Sequence, residues 1–281
     1  MRNLILLTVI MIITTKANLF CQAEEINPGD NNIRMEKEEG CYQEMKVGTH
    51  TVITNTNSVS YEKENKFSKG KRLLEKGRWK YDEDILENAI LIFQYMIKEE
   101  DSNYLYYYYL AYAYERLILI NDIEDKKDKS EDYAKKALHI IERSIQLNDN
   151  FPESHYILAR IQIRLAKVSW LMGARYGPKI GKERDRVLEL NSNSPQASLL
   201  LALTYLETPR FFGGNVNKAI EKLEEIIKLN PMFDEAYIHL SQAYKRKRWY
   251  DKEKEILEKA LKINPYNLYA RKILKKVVIN N

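Results

Sequence analysis

Histidines and paired glycines are the residues of this chain whose chemistry could be catalytic or ligand-binding. The four histidines are His50, His139, His155 and His239. Their spacing matches no metal-binding motif and no motif in which histidine activates a nucleophile. His155 and His239 fall within helical patterns, where a histidine packed inside the fold or at its edge is expected. The sequence therefore predicts no catalytic residue, no metal and no cofactor, and a protein that is not an enzyme.

The glycine pair Gly213-Gly214 follows Phe211-Phe212 and precedes Asn215. Free N–H groups at the start of the next helix could hold an anion there. A dinucleotide-binding fingerprint would need a third glycine and a preceding strand, and both are missing. The simpler interpretation is that the glycines turn the chain and Asn215 caps the helix. The two phenylalanines then either pack under the loop or form an apolar edge.

The composition is that of a globular protein with a mild basic excess. The chain has 281 residues, of which 44% are hydrophobic, and 45 Lys and Arg residues against 40 Asp and Glu residues. This material is enough for a sizeable core. Charges of both signs are interspersed, so the sequence predicts no nucleic-acid partner.

The N-terminus has the pattern of a secretory signal peptide. Arg2 precedes an apolar run over residues 4–13, and small residues allow cleavage after Ala17 or Ala23. Lys16 ends the apolar run too early for a membrane-spanning helix. We therefore predict a signal peptide over residues 1–23 and an extracytoplasmic location, periplasmic or secreted.

Cys21 leaves a lipid anchor open as an alternative. Bacterial lipoprotein signals place a small residue before the cysteine, and here Phe20 precedes it. If Cys21 is removed with the signal peptide, Cys41 is the remaining cysteine and cannot form an internal disulfide. The exported protein must then be stabilised by its core.

Helical periodicity begins near Tyr61, after a polar segment that we interpret as a tether over residues 24–58. The clearest unit spans residues 234–265, and the prolines Pro231 and Pro265 that close successive units are 34 residues apart. This unit resembles a tetratricopeptide (TPR) repeat. The residues at its signature positions are Tyr237, Leu240, Ser241, Tyr244, Leu257, Ala260 and Pro265.

The resemblance predicts an all-α TPR superhelix of about five helix-turn-helix units over residues 59–265, with a closing helix over residues 266–281. Each helix pair has an apolar face that it can bury only against its neighbour, so the pairs stack. Small residues such as Ala111, Ala159 and Ala202 allow close helix approach, and large ones such as Tyr114, Tyr205 and Tyr244 fill the seam. Gln162 and Glu253 depart from the family pattern.

The earlier units are longer than 34 residues, and we place the extra residues between the two helices of each unit. These inserts cover residues 118–131, 170–177 and 209–215, and they would lie on one edge of the superhelix. Such an edge is either tolerated drift or a working surface. The predicted insert-edge residues are Trp170, Tyr176, Phe211, Phe212, Gly213 and Gly214.

In TPR proteins the first helices of the units line a groove. The corresponding positions here are Tyr108, Tyr112, Tyr156, Arg160, Leu199, Leu203, Ile238 and Gln242. This lining is apolar and aromatic, and it lacks the Lys and Asn residues of TPR modules that clamp acidic tails. It predicts a protein or peptide partner, or an apolar small molecule. Alternatively, the closing helix or the tether covers the groove.

Two further patterns bear on the partner. The basic run Lys245-Arg246-Lys247-Arg248 is either a solvated helix end or a membrane-surface contact. The run TPRFFGGNVNKAIEKL, residues 208–223, resembles an insert of exported bacterial TPR proteins, including the periplasmic T-component associated with TRAP-type solute transporters. The sequence thus predicts an exported, non-enzymatic scaffold that binds a protein through its groove. The alternative is a ligand-binding accessory of a solute transporter or of envelope lipid handling.

Overall fold

The computed structural model describes the backbone of residues 56–279 and the side chains of residues 62–276. This part of the chain is built from α-helices and one short 3-10 turn, Arg210–Phe212. The helices are α1 (Thr56–Lys80), α2 (Glu83–Glu99), α3 (Tyr104–Ile123), α4 (Lys127–Leu147), α5 (Pro152–Ala166), α6 (Trp170–Leu190), α7 (Pro195–Glu207), α8 (Val216–Leu229), α9 (Asp234–Arg246), α10 (Tyr250–Ile263) and α11 (Leu268–Ile279). Across these described helices, none is long and apolar enough to cross a membrane. The predicted signal peptide, Cys21 and Cys41 lie outside the described residues.

Consecutive helices pair as α1–α2, α3–α4, α5–α6, α7–α8 and α9–α10, and α11 packs after the fifth pair. The predicted all-α TPR superhelix of five units with a closing helix is confirmed. Ala111, Ala159 and Ala202 are fully buried where helices approach closely. Tyr114 and Tyr244 are buried in the seams, as the pattern predicts, whereas Tyr205 is half-buried. The core is therefore one continuous stack.

Polar caps and prolines define where the helices begin. Asp82 accepts a hydrogen bond from the Ile85 N–H at 3.0 Å at the start of α2. Asn215 accepts from two N–H groups at the start of α8, which confirms its predicted capping role. Each cap satisfies a donor that has no partner within the helix. Pro152 and Pro195 begin α5 and α7, because proline fits the first helical turn.

The extra residues of the earlier units lengthen helices instead of forming loops. The predicted insert 118–131 is mostly the end of α3 and the start of α4, and the insert 170–177 is the first two turns of α6. Apolar residues such as Ile118, Ile120 and Ile123 continue the helical spacing and are buried, so the helix continues with them. The segment 209–215 is the insert that stays largely outside the α-helices.

The C-terminal segment packs back against the first two units. Asn264 donates through Nδ2 to the Trp79 carbonyl at 3.1 Å, although the two residues are 185 positions apart. The Lys272 ammonium lies 2.6 Å from an Asp125 carboxylate oxygen, which joins α11 to the end of α3. A solenoid unit ordinarily touches only its neighbours. Here the turn of the superhelix is tight enough that the last unit meets the first, and the concave side is enclosed.

Candidate functional site

The eight predicted groove residues lie on α3, α5, α7 and α9 and face the enclosed concave side. Leu199, Leu203, Ile238, Tyr156 and Arg160 are all less than 10% exposed, whereas Tyr108, Tyr112 and Gln242 are half-buried. The structure thus brings these residues together but does not leave them as an open groove. Glu235, on the last unit, pairs with Arg160 and so closes part of this lining.

A cluster of four buried charges occupies the centre of this concave side. Arg160 on α5 donates to Glu115 on α3 at 2.6 and 2.8 Å and also pairs with Glu235 on α9. Arg116 pairs with Glu115, and its Nη2 lies 3.5 Å from Glu235. Arg160 also donates to the Tyr156 hydroxyl at 2.8 Å. Two guanidinium groups and two carboxylates therefore join the second, third and fifth units.

The electrostatics of the cluster follow from its burial. Burial opposes the ionisation of Glu235, but Arg160 and Arg116 outweigh it and hold the pKa of this carboxyl well below its usual value. Burial likewise opposes the charge on Arg160, and Glu115 and Glu235 nevertheless raise its pKa well above the usual range. Glu235, Arg116 and Arg160 are thus charged, and each depends on its partners in the cluster for its stability in the interior.

Sequence reasoning missed Glu115, Arg116 and Glu235. It treated Arg160 as a polar handle for a partner, whereas the structure uses this side chain internally. Glu115 and Arg116 interrupt an apolar α3, between Tyr114 and Leu117, and this interruption is the signal that could have marked them. Charged residues within an otherwise apolar helix require partners when they are buried.

A surface cleft of about 960 Å³ opens between α4 and α6, with α5 as its floor. The residues that line it are Glu142, Ile145, Gln146, Asp149, His155, Leu158, Pro178, Gly181, Lys182, Glu183, Asp185, Arg186 and Glu189. Gly181 leaves open space on the α6 side, because no atom lies within 4 Å of the position where a Cβ would stand. Because glycine has no side chain, α6 does not fill the gap to α4 at this position.

His155 forms part of the cleft floor, buried as the sequence predicts. Its Nδ1 lies 2.6 Å from a Glu183 carboxylate oxygen, and its Nε2 lies 2.9 Å from the Asp149 carbonyl oxygen. Burial favours the neutral imidazole, but these two acceptors outweigh it and raise the pKa of His155 above its usual value. The histidine thus links α5, α6 and the preceding turn.

The turns within the third, fourth and fifth units form one edge of the superhelix, which we call the turn edge and define as residues 167–175, 207–218 and 245–254. Trp170 is 84% exposed, Phe211 92% and Phe212 75%. The phenylalanines thus form an apolar edge and do not pack under the loop. Tyr176, also predicted at the edge, is instead buried, because it lies on the inner face of α6.

Gly213 and Gly214 make the turn before α8, as the sequence predicts. Gly213 adopts a φ of 95°, a left-handed conformation that favours glycine. A Cβ on Gly214 would stand 1.8 Å from the Thr208 carbonyl oxygen, so the close approach of the backbone requires glycine there.

A row of ion pairs connects the ends of the first helices of four units. Arg164 at the end of α5 lies 2.7 Å from Asp122 at the end of α3. Glu207 at the end of α7 pairs with Lys167 at 2.9 Å and with Arg246 at 2.8 Å. Burial opposes the ionisation of Glu207, but these two cations lower its pKa below the usual value. The three turns of the turn edge are therefore held side by side.

Comparison with known proteins supports the same fold. No family model and no curated protein sequence matches the chain. Among solved structures, a thermophilic TPR protein of Thermus thermophilus, TTC0263, is 16% identical with a TM-score of 0.54, over 77% of this chain and 99% of that one. YrrB, described as a TPR protein with an unusual peptide-binding site, is 16% identical with a TM-score of 0.35, over 79% of this chain and 98% of that one. MamA of Desulfovibrio magneticus RS-1 is 14% identical with a TM-score of 0.39, over 72% and 97%. The likeness to the first of these, together with the five helix pairs, shows that the chain has the TPR superhelical fold.

Proposed function

We propose that the protein is a non-enzymatic scaffold that acts outside the cytoplasm and binds a protein or peptide partner in the cleft between α4 and α6. The observation that carries this proposal is the open cleft of about 960 Å³ beside a concave side that the chain has filled with its own residues. This volume lies at the upper end of typical binding pockets. A cleft between helices suits a chain segment.

The charges of the cleft indicate what kind of segment fits. Five carboxylates line it, against Lys182 and Arg186. Arg186 is already paired with Asp149 at 2.8 Å and with Glu189 at 3.0 Å. Ile145 and Leu158 add an apolar floor. We therefore expect a peptide that carries Lys or Arg residues next to one apolar side chain.

Binding in the predicted groove would be costlier. A partner that reached Ile238 would have to separate α9 from α3 and α5, and thereby break the ion pairs of Glu235 with Arg160 and Arg116. Leaving one member of a buried ion pair without its partner costs about 3–5 kcal/mol. The cleft between α4 and α6 requires no such opening.

The alternative of a transporter or lipid-handling accessory requires a cavity for an apolar molecule. The cleft is rimmed by charges, and a second cavity, beside Leu203 and His239, has only about 90 Å³. Neither cavity fits a lipid-sized ligand. A lipid anchor at Cys21 and export itself rest on the N-terminal pattern, and fractionation of cells with mass spectrometry of the mature N-terminus tests both.

The cleft can be tested with two glycine variants in the same helix. Gly181 lines the cleft and Gly177 does not, and an added Cβ meets no atom within 4 Å at either position. Gly181→Leu therefore adds its side chain at the cleft, and Gly177→Leu adds the same side chain outside the cleft lining. Peptides selected from a displayed library against the wild-type protein supply the probe. We expect Gly181→Leu to weaken the selected peptide at least roughly tenfold, or about 1.4 kcal/mol, and Gly177→Leu to leave it unchanged. Equal affinity in both variants would refute the cleft as the binding site.

A further inference from the structure

The turn edge combines protruding aromatic side chains with a concentration of positive charge. Seven large apolar side chains there are at least 40% exposed, namely Val168, Trp170, Leu171, Phe211, Phe212, Trp249 and Tyr250. They come from three separate turns that the Lys167–Glu207–Arg246 ion pairs hold side by side. An exposed apolar patch of this kind marks an interaction surface.

The charge of the turn edge exceeds that of the whole protein. Its three segments contain ten Lys and Arg residues against three Asp and Glu residues, a net charge of +7, whereas the full chain carries +5. Nine of the ten cations are exposed. Of the three carboxylates in these segments, Glu253 is buried and Glu207 is largely covered by Lys167 and Arg246. Asp251 is the one that is exposed. The exposed charges of the turn edge are therefore mostly positive.

The arrangement of the two kinds of side chain indicates the partner. The aromatic residues project from the turns: Phe211 and Phe212 pack edge to face on each other, with ring centroids 5.4 Å apart, and are otherwise exposed. Cations stand beside the rings, as Lys252 does at 4.7 Å from the Trp249 ring centre. Aromatic rings prefer the boundary between lipid headgroups and acyl chains, and Lys and Arg residues prefer anionic headgroups.

We propose that the turn edge is a docking surface for an anionic lipid membrane, in which the aromatic side chains enter the headgroup region and the surrounding cations contact lipid phosphates. This surface is separate from the cleft, so the protein would bind a partner with one face while the turn edge holds it on the membrane. An acidic protein surface is the competing occupant, and it is an outcome of the test below.

The test measures binding of the full-length protein to vesicles by co-sedimentation. Vesicles of phosphatidylcholine alone are compared with vesicles that contain about 30% phosphatidylglycerol, at low and high salt. We expect binding to the anionic vesicles that weakens with salt, because exposed charges are screened. Arg210→Gln together with Arg248→Gln should weaken it roughly 10- to 30-fold, since each cation near an anionic surface contributes about fivefold. Phe211→Ser with Phe212→Ser should weaken it at least roughly tenfold.

Two controls separate docking at the turn edge from general attraction and from the apolar N-terminus. Lys135→Gln with Lys136→Gln removes the same charge from exposed positions on α4 and should change binding less than about threefold. Every variant retains residues 1–23, so differences between variants report the turn edge. Circular dichroism should show unchanged thermal unfolding for the Phe211 and Phe212 variant, because both side chains are exposed.

Tryptophan fluorescence locates the contact. In a variant that keeps only Trp170, vesicles with brominated acyl chains should quench the tryptophan fluorescence. In a variant that keeps only Trp79, which lies in the first unit and whose carbonyl contacts Asn264, the fluorescence should not be quenched. The proposal is overturned if the anionic vesicles do not bind, if Trp79 is quenched as strongly as Trp170, or if the α4 control weakens binding as much as the turn-edge variant. It is also overturned if the turn-edge variants lose an acidic protein partner while vesicle binding stays unchanged.

Discussion

Glu235→Gln should destabilise the protein far more than the loss of any surface carboxylate, because Glu235 is a carboxylate of the buried cluster. Glutamine keeps the shape of the side chain but removes its charge. Arg116 and Arg160 then have Glu115 as their remaining carboxylate partner. The interior of the superhelix is left with one uncompensated positive charge.

The magnitude follows from the burial of the cluster. Breaking a buried ion pair by removing one partner costs about 3–5 kcal/mol, which lowers the ratio of folded to unfolded protein at least roughly 100-fold. The link also joins the fifth unit to the second and third, whereas TPR units ordinarily interact with their neighbours. We therefore expect the unfolding transition of the variant to broaden, since the fifth unit can separate before the others.

Urea unfolding at pH 7, followed by circular dichroism at 222 nm, measures both effects. The matched control is Glu255→Gln, which removes an exposed carboxylate paired with Lys259 at 2.7 Å and should cost less than about 1 kcal/mol. Adding Arg116→Met to Glu235→Gln restores charge balance, and it should recover at least about 1 kcal/mol. Our account of the cluster is refuted if Glu235→Gln costs no more than Glu255→Gln.

Three further predictions concern single positions. Contact with Glu183 raises the pKa of His155, so the imidazolium stabilises the fold below about pH 6.5. This stabilisation is lost as the pH rises through the pKa of the folded protein. The free energy of unfolding should therefore fall less between pH 6 and 8 in His155→Gln than in the wild type. Gly214→Ala should cost about 1–3 kcal/mol in urea unfolding, because its Cβ collides with the Thr208 carbonyl oxygen. Burial raises the pKa of Glu253, so this side chain opposes folding when it is ionised at pH 7. Glu253→Ala should therefore raise the thermal midpoint.

Each of these predictions has a contrary result. An unaltered pH profile in His155→Gln would show that the imidazole does not titrate in this range. A Gly214→Ala protein as stable as wild type would mean that the turn can shift without cost. A lower thermal midpoint for Glu253→Ala would show that the carboxylate makes a favourable contact at neutral pH.

Several features follow from the sequence because they depend on local patterns. The 34-residue period of the last unit, with Tyr237, Leu240 and Ala260 at signature positions, identifies helix pairs that must stack, since each has an apolar face to bury. The Gly213-Gly214 turn and the Asn215 cap are equally local, because a left-handed residue and an N-cap require particular residue types.

The tertiary structure alone decided which surfaces are open. Small rotations between successive units add up over the superhelix, and no single repeat encodes their sum. Here they bring Asn264 to Trp79 and Glu235 to Arg160, so that the predicted groove is filled by the chain's own charges. The same winding sets three turns side by side, and residues far apart in sequence thereby form one aromatic and basic edge.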